Sequence, residues 1–216
     1  FSRYFFVDLD ANKLDALKNR CRASPLHQRV ECIVEDANTA VQSIVDRIRA
    51  YDRVYGTSLN LAFLDPQAFE LQWNTVVSLT SVNRMDLIIY YPENALNRAM
   101  KPSLRTPRAT RVDRFFGSAT WRDIYSQWQT KPRAIGIHRL LIDHYKGNLA
   151  KLGYVKQADG VPEDEPLIRN IRRGPLYRLL FASKHEFGLY LWREITRRDV
   201  HGQMPMLLDG TGTYVL

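Results

Sequence analysis

Cysteine is nearly absent: Cys21 and Cys32 are the only two in 216 residues. Two are too few for a disulfide framework and stand at no metal-ligand spacing, which favours a reducing, cytoplasmic setting. Long apolar runs are missing as well, so no segment reaches membrane-spanning length, and no secretory leader pattern opens the sequence. There is no internal repeat and no low-complexity tract. His27, His138, His144 and His201 have no spacing typical of a metal site and read as structural or surface residues. Acids are in deficit, 23 against 31 Lys and Arg, for a formal charge of +8. That excess favours anionic partners, nucleic acid first, although it also serves solubility. An initiator Met is lacking too. The chain starts at Phe1 in the approach to a strand, so a further element is expected upstream.

What is present suits a globular protein, 45% hydrophobic and 25% charged, forming one large domain or one domain with an insertion. The most informative stretch is Leu59 to Trp73, LNLAFLDPQAFELQW. Leu61 to Leu64, led by Asn60, is short, apolar and stopped by Asp65-Pro66, the pattern of a fully buried strand in a parallel sheet. Open α/β sheets bind ligands beyond the carboxyl ends of their strands. An acid there can hold a polar ligand group, and Asp-Pro is also a good turn and helix start.

Around it the chain alternates. Tyr4 to Val7 reads as a strand ending at Asp8, and Asp10 to Asn19 as a helix with Asp10 a candidate N-cap. Val30 to Val34 is a strand ending at Glu35-Asp36, and Thr39 to Tyr51 a helix with Val41, Ile44, Val45 and Ile48 at helical spacing. A helix from about Phe69 to Val82 and a strand from Met85 to Tyr91 follow. Such alternation predicts βαβ units and a mainly parallel sheet. From Glu93 to Arg133 the rhythm breaks into a polar, basic insertion with nine cations against three acids. Within it Phe115-Phe116-Gly117 and Trp121 to Trp128 read as a small packed subunit. Ile135 to Leu152 is an amphipathic helix, Asp159 to Asp164 a loop, Leu176 to Ala182 a strand, Phe187 to Thr196 a helix, and Met204 to Leu208 a last strand. The organisation is thus 1–92 and 134–216 as two parts of one core, with 93–133 inserted.

Acids stand at three successive strand ends, Asp8, Asp36 and Asp65, a pattern that fits the nucleoside-binding edge of a Rossmann-like sheet. YFFVDLDANKLDALK, ECIVEDANTAV and FLDPQAF resemble the second, third and fourth strands of class I S-adenosylmethionine-dependent methyltransferases. More specifically, FFVDLD, EDAN, LAFLDPQAFELQW, MDLIIYYP, RFFGSATW and PLYRLLFASKHEFGLYLW, in this order, resemble the three-Cys-motif partner family, a methyltransferase-like group. The resemblance implies a Rossmann-like sheet of the class I type whose first strand and Gly-rich turn have no counterpart in this chain.

It also implies site roles. Asp8 would accept the cofactor's ribose hydroxyls, in competition with a capping role, and Asp36 with Ala37 would take the adenine, with Glu35 and Asn38 as adjacent alternatives and EDAN as a simple turn the other reading. Asp65 would orient an acceptor amine. Amino-methyltransferases carry Asp/Asn-Pro-Pro-Tyr/Phe at this point. Here Asp65-Pro66-Gln67-Ala68-Phe69 lacks the second proline and places the aromatic one residue late. Phe69 could stack on a base or begin the core face of the next helix with Trp73. In Ser183-Lys184-His185, Lys184 could bind phosphate and His185 could move a proton if that strand runs parallel to the others. The other reading is a solvated strand-to-helix turn. Arg98, Lys101, Arg105, Arg108, Arg111 and Arg114 could grip nucleic-acid phosphate, with Trp121, Tyr125 and Trp128 as stacking faces or as a small helical core. Two functions follow: methyl transfer from S-adenosylmethionine to a nucleic-acid acceptor, or a non-catalytic module that binds nucleic acid or a protein partner.

Overall fold

The computed structural model describes residues 2–130, 135–155, 165–170, 172 and 174–196. They fall into two compact units, Phe1–Ser58 with Asn74–Val82, and Leu59–Trp73 with Asn83–Leu216.

In the first unit, β1 (Tyr4–Asp8) and β2 (Val30–Val34) are parallel, Tyr4 opposite Val30 and Asp8 opposite Val34. Parallel neighbours need a crossover, and α1 (Ala11–Cys21) provides it. The Asp10 carboxylate accepts from the Asn12 and Lys13 amides, two of the N–H groups that a helix start leaves unpaired. α2 (Ala37–Tyr55) buries Val41, Val45 and Ile48, a stripe at three- and four-residue spacing. Most of α3 (Trp73–Thr80) also belongs here. Its Val76 and Leu79 are buried, and the Thr75 hydroxyl donates to Asn38 Oδ1 of α2 at 2.7 Å.

The second unit carries a four-stranded sheet in the order β3–β4–β6–β5. β3 (Asn60–Leu64) and β4 (Met85–Tyr91) are parallel. β5 (Leu167–Arg169) and β6 (Pro175–Ala182) form an antiparallel hairpin, and β6 also runs antiparallel to β4. Between β4 and β5 come α4 (Glu93–Leu104), α5 (Arg111–Phe116), α6 (Thr120–Thr130) and α7 (Ile137–Lys151), and α8 (Glu186–Thr196) follows β6.

Alternation along β4 divides the core. Leu87, Ile89 and Tyr91 are fully buried on one face. Tyr91 meets Phe115, which stacks on Tyr145 at 5.3 Å, and Phe116 lies against Trp121. The segment from Glu93 onward therefore supplies much of this unit's core: Leu96, Met100, Val112, Phe115, Phe116 and Trp121 are all buried. At the end of α5, Gly117 has φ 75°, and a Cβ there would lie 2.3 Å from Trp73 Cδ1, so backbone and space both demand glycine. On the other face, Phe181 stacks on Trp192 of α8 at 5.0 Å, with Leu189, Ile88 and Leu179 around them.

The architecture is α/β, but three expectations need correction. The strands do not share one mainly parallel sheet: β1 and β2 pair with each other, and the four-stranded sheet is mixed. β3 is not fully buried. It is an edge strand with Leu61 47% and Phe63 59% exposed, because an apolar run of five residues carries no mark of where in a sheet it lies. The helix expected from Phe69 starts at Trp73. The expected loop at 159–164 and strand at 204–208 lie outside the described residues.

Candidate functional site

The carboxyl end of β3 is the best-placed candidate. Leu64 pairs with Ile89, so Asp65 is level with Tyr90 of β4. Asp65 is exposed and makes no hydrogen bond or ion pair with a described residue. Its charge is nevertheless felt: burial first, then Asp65 and Tyr177, push the Tyr90 hydroxyl pKa up. Pro66 ends the strand, and Ala68 holds φ 55°, left-handed backbone that is costly without glycine and concentrates at functional loops. Phe69 is half-buried in this loop, before α3 rather than on its core face. Glu70, exposed at the loop's far end, meets Arg111 at 3.8 Å.

Arg111 opens α5 in the basic segment. Arg98, Lys101, Arg105, Arg108 and Arg114 are exposed like it, and none forms an ion pair with a described residue. Arg122 behaves differently. It grips Asp113 through Nε and Nη2 and also donates to the Ser103 and Thr106 carbonyls, so it is a structural clasp. Trp121 is buried and donates to Asp113, which removes it as a stacking face, whereas Tyr125 and Trp128 stay partly exposed. Lys131 and Arg133 lie outside the described residues.

Lys184 and His185 do not join Asp65, which corrects the expected site. β6 is antiparallel to β4, with Ala182 opposite Leu87. The turn after it therefore sits at the amino end of β4, across the sheet from Asp65. His185 Nδ1 accepts from the Phe187 amide, and Ser183 Oγ from the His185 amide, so the turn starts α8. Lys184 Nζ lies over the Tyr154 ring at 5.7 Å, and burial lowers its pKa.

In the first unit, Asp8 is the last residue of β1 and Asp36 lies two residues beyond the paired strand β2, and the Glu35 amide donates to the Asp8 carbonyl at 3.2 Å. Asp8 Oδ1 accepts from the Asp10 amide at 2.8 Å, and Lys13 Nζ is 4.0 Å from Oδ2. Asp36 caps α2, accepting from the Asn38 amide at 2.7 Å, and Ala37 is the first residue of that helix. A carboxylate has about four lone-pair sites, so both acids keep capacity for a nucleoside's hydroxyl or amino donors.

Behind the carboxyl end of β4 lies a buried polar set. Glu93 accepts from Arg178 Nε at 2.8 Å. His138 sits between Tyr91 Oη at Nδ1 and Asn97 Oδ1 at Nε2. The amide oxygen can only accept, so Nε2 carries the proton and Tyr91 donates to Nδ1. Burial lowers the His138 pKa, and its two bonds give it a structural role. No group of three His, Cys, Asp or Glu among the described residues could hold a metal ion, and no described helix is long and apolar enough to cross a membrane. Sequence reasoning missed Tyr90 and Tyr177, half-buried with ring centroids 4.5 Å apart. Alternation could have put Tyr90 and Tyr91 on opposite faces, but only the register brings in Tyr177. Comparison with protein-family models, curated proteins and solved structures found no match to this chain.

Proposed function

We propose that the chain is a methyltransferase-like protein, related to the three-Cys-motif partner group, that acts on nucleic acid. The observation that carries this reading is Asp65: exposed and without a hydrogen-bond or ion-pair partner among the described residues, at the end of a parallel strand, in a loop whose Glu70 meets Arg111 of the basic segment at 3.8 Å. An acceptor-only carboxylate suits an amine, and the exposed cations of the basic segment suit phosphates. Asp8, with Asp36 and Ala37, would hold the nucleoside part of S-adenosylmethionine. That cofactor supplies a methyl group already activated by its sulfonium. The chain's own work is to bind and orient the acceptor.

If cations Arg98 to Arg114 bind phosphate, log affinity falls linearly with log salt, because bound counterions are released. Arg105→Ala/Arg108→Ala/Arg111→Ala is expected to reduce that slope by up to about 3 for duplex DNA, near one per lost contact. Filter binding at several salt concentrations reads it, and equal slopes for wild type and variant would remove this segment from the interface.

The cofactor part has its own test. In the full-length protein Asp8→Ala is expected to weaken S-adenosylmethionine binding by about 1.5–3 kcal/mol, the cost of one charged hydrogen bond. Calorimetry checks this. No heat with wild-type full-length protein at saturating cofactor, alongside retained nucleic-acid binding, would select the second reading, a non-catalytic binding module. The separation of Lys184 and His185 from Asp65 is the observation that favours that alternative.

A further inference from the structure

The four-stranded sheet has two unequal faces. Leu87, Ile89 and Tyr91 are buried on one. On the other, the cluster around α8 takes in Ile88, Leu179 and Phe181 but stops short of the carboxyl half of β3 and β4. There the side chains are aromatic. Phe63 opposes Ile88, so it shares a face with Tyr90 two residues on. Tyr90 opposes Leu179, which puts Tyr177 on that face as well. Phe63 is 59% exposed. Tyr90 and Tyr177 are half-buried, their rings 4.5 Å apart and tilted by 36°. Asp65 stands level with Tyr90 at the rim. Arg172 is exposed on the turn that joins β5 to β6 at this end of the sheet.

The geometry points to a binding site for single-stranded nucleic acid on this face, with Tyr90 and Tyr177 as the stacking surface for one base and Asp65 as the acceptor for its amino group. It rests on the nucleic-acid half of the function proposed above, not on the cofactor. Aromatic side chains on an open sheet face stack unpaired bases, whose faces are hidden in a duplex. Arg172 on the turn between β5 and β6 supplies charge for a phosphate. A carboxylate accepts and cannot donate, so it favours adenine, cytosine or guanine, which present amino groups. Thymine offers a single N–H between two carbonyl oxygens that a carboxylate repels. The competing occupant of so apolar a face is another protein, which would need neither tyrosine nor Asp65 for binding oligonucleotides.

Fluorescence anisotropy with labelled oligo(dA), oligo(dT) and their duplex, on the full chain, tests this. Wild type is expected to bind oligo(dA) more tightly than oligo(dT) or duplex. Tyr90→Leu/Tyr177→Leu should weaken oligo(dA) binding by about fivefold or more, the lower end of what stacking of one base is worth. Tyr90→Phe/Tyr177→Phe, which keeps the rings, should bind as wild type does. Asp65→Ala, which removes the acceptor, should lose the preference for oligo(dA) over oligo(dT). A natively folded double Leu variant with wild-type affinity overturns the site. Should that variant fail to fold, an unchanged base preference in Asp65→Ala overturns it equally. Oligonucleotide binding that follows this pattern in a full-length protein blind to S-adenosylmethionine keeps the site and removes methyl transfer. Cofactor binding with oligonucleotide affinities indifferent to all three variants does the reverse.

Discussion

Glu165→Gln is expected to destabilise the second unit by about 3–5 kcal/mol, the range for stripping one partner from a buried ion pair. Glu165 is 1% exposed, and its carboxylate takes two bonds from Arg139, at Nη1 and Nη2, and pairs with Lys146. Glutamine keeps the shape and removes the charge. Arg139 retains Asp143. Lys146 has no second acid among the described residues, and its side chain is 7% exposed. An ammonium in that position without a counter-charge carries the solvation cost of a buried charge. Arg139 reports the same coupling. Burial lowers its pKa, but the bonds to Glu165 and Asp143 outweigh burial and the net shift is upward. Urea unfolding measures the loss. The double variant Glu165→Leu/Lys146→Met, which removes both charges, should be milder than Glu165→Gln, since apolar replacements of whole buried pairs are often nearly neutral. A Glu165→Gln variant within about 1 kcal/mol of wild type, the scale of an ordinary exposed pair, would show that the pair is hydrated in solution.

This cluster also marks what the sequence could not disclose. Lys146 and Arg139 lie on the amphipathic helix α7, which was legible from its apolar spacing. Their acid comes from just before a three-residue strand, β5, which is too short to leave a periodic signal. Long-range charge pairing has no local signature. Strand direction has none either. The β6 segment was visible as PLYRLLFA, but alternation is the same for parallel and antiparallel strands, so the placement of Lys184 and His185 beside Asp65 had nothing to check it. Elements with their own start signals came through. Asp10 before α1, the buried stripe of α2 and the breaker Pro92 after β4 act over a few residues, and the structure follows them closely. The three strand-end acids were equally legible as residues, not as roles. Asp8 and Asp36 bond to nearby backbone amides while Asp65 does not, a distinction that depends on backbone turns after each strand.

The basic segment poses the same problem with larger consequences, because its cations look alike in sequence and one of them is structural. Asp113→Asn is expected to cost about 3–5 kcal/mol at neutral pH, comparable to breaking other buried ion pairs. Its carboxylate accepts from the Thr110 amide and hydroxyl, from Trp121 Nε1 at 2.9 Å, and from Arg122 Nε and Nη2. Asparagine would turn an amino group toward several of these donors. Burial alone would raise the Asp113 pKa. The bonds from Arg122, Thr110 and Trp121 outweigh it and hold the carboxyl far below the usual carboxylate range. A folded-state pKa below the unfolded one gives stability that is complete above the unfolded value, about 3.9, and is lost as pH falls through the folded value. The gap between wild type and Asp113→Asn should therefore be constant from neutral pH to about pH 5 and narrow steadily in more acid solution. Thermal unfolding across that range decides between charge and shape, since a gap that stays constant into acid would assign the loss to side-chain geometry. The same variant also separates folding from binding. Asp113 lies within α5, between Arg111 and Arg114, and its partners tie that helix to α6 and to the carbonyls at the end of α4. If those two arginines contact phosphate only while α5 is held in place, Asp113→Asn should lower nucleic-acid affinity and its salt slope together although it removes no cation.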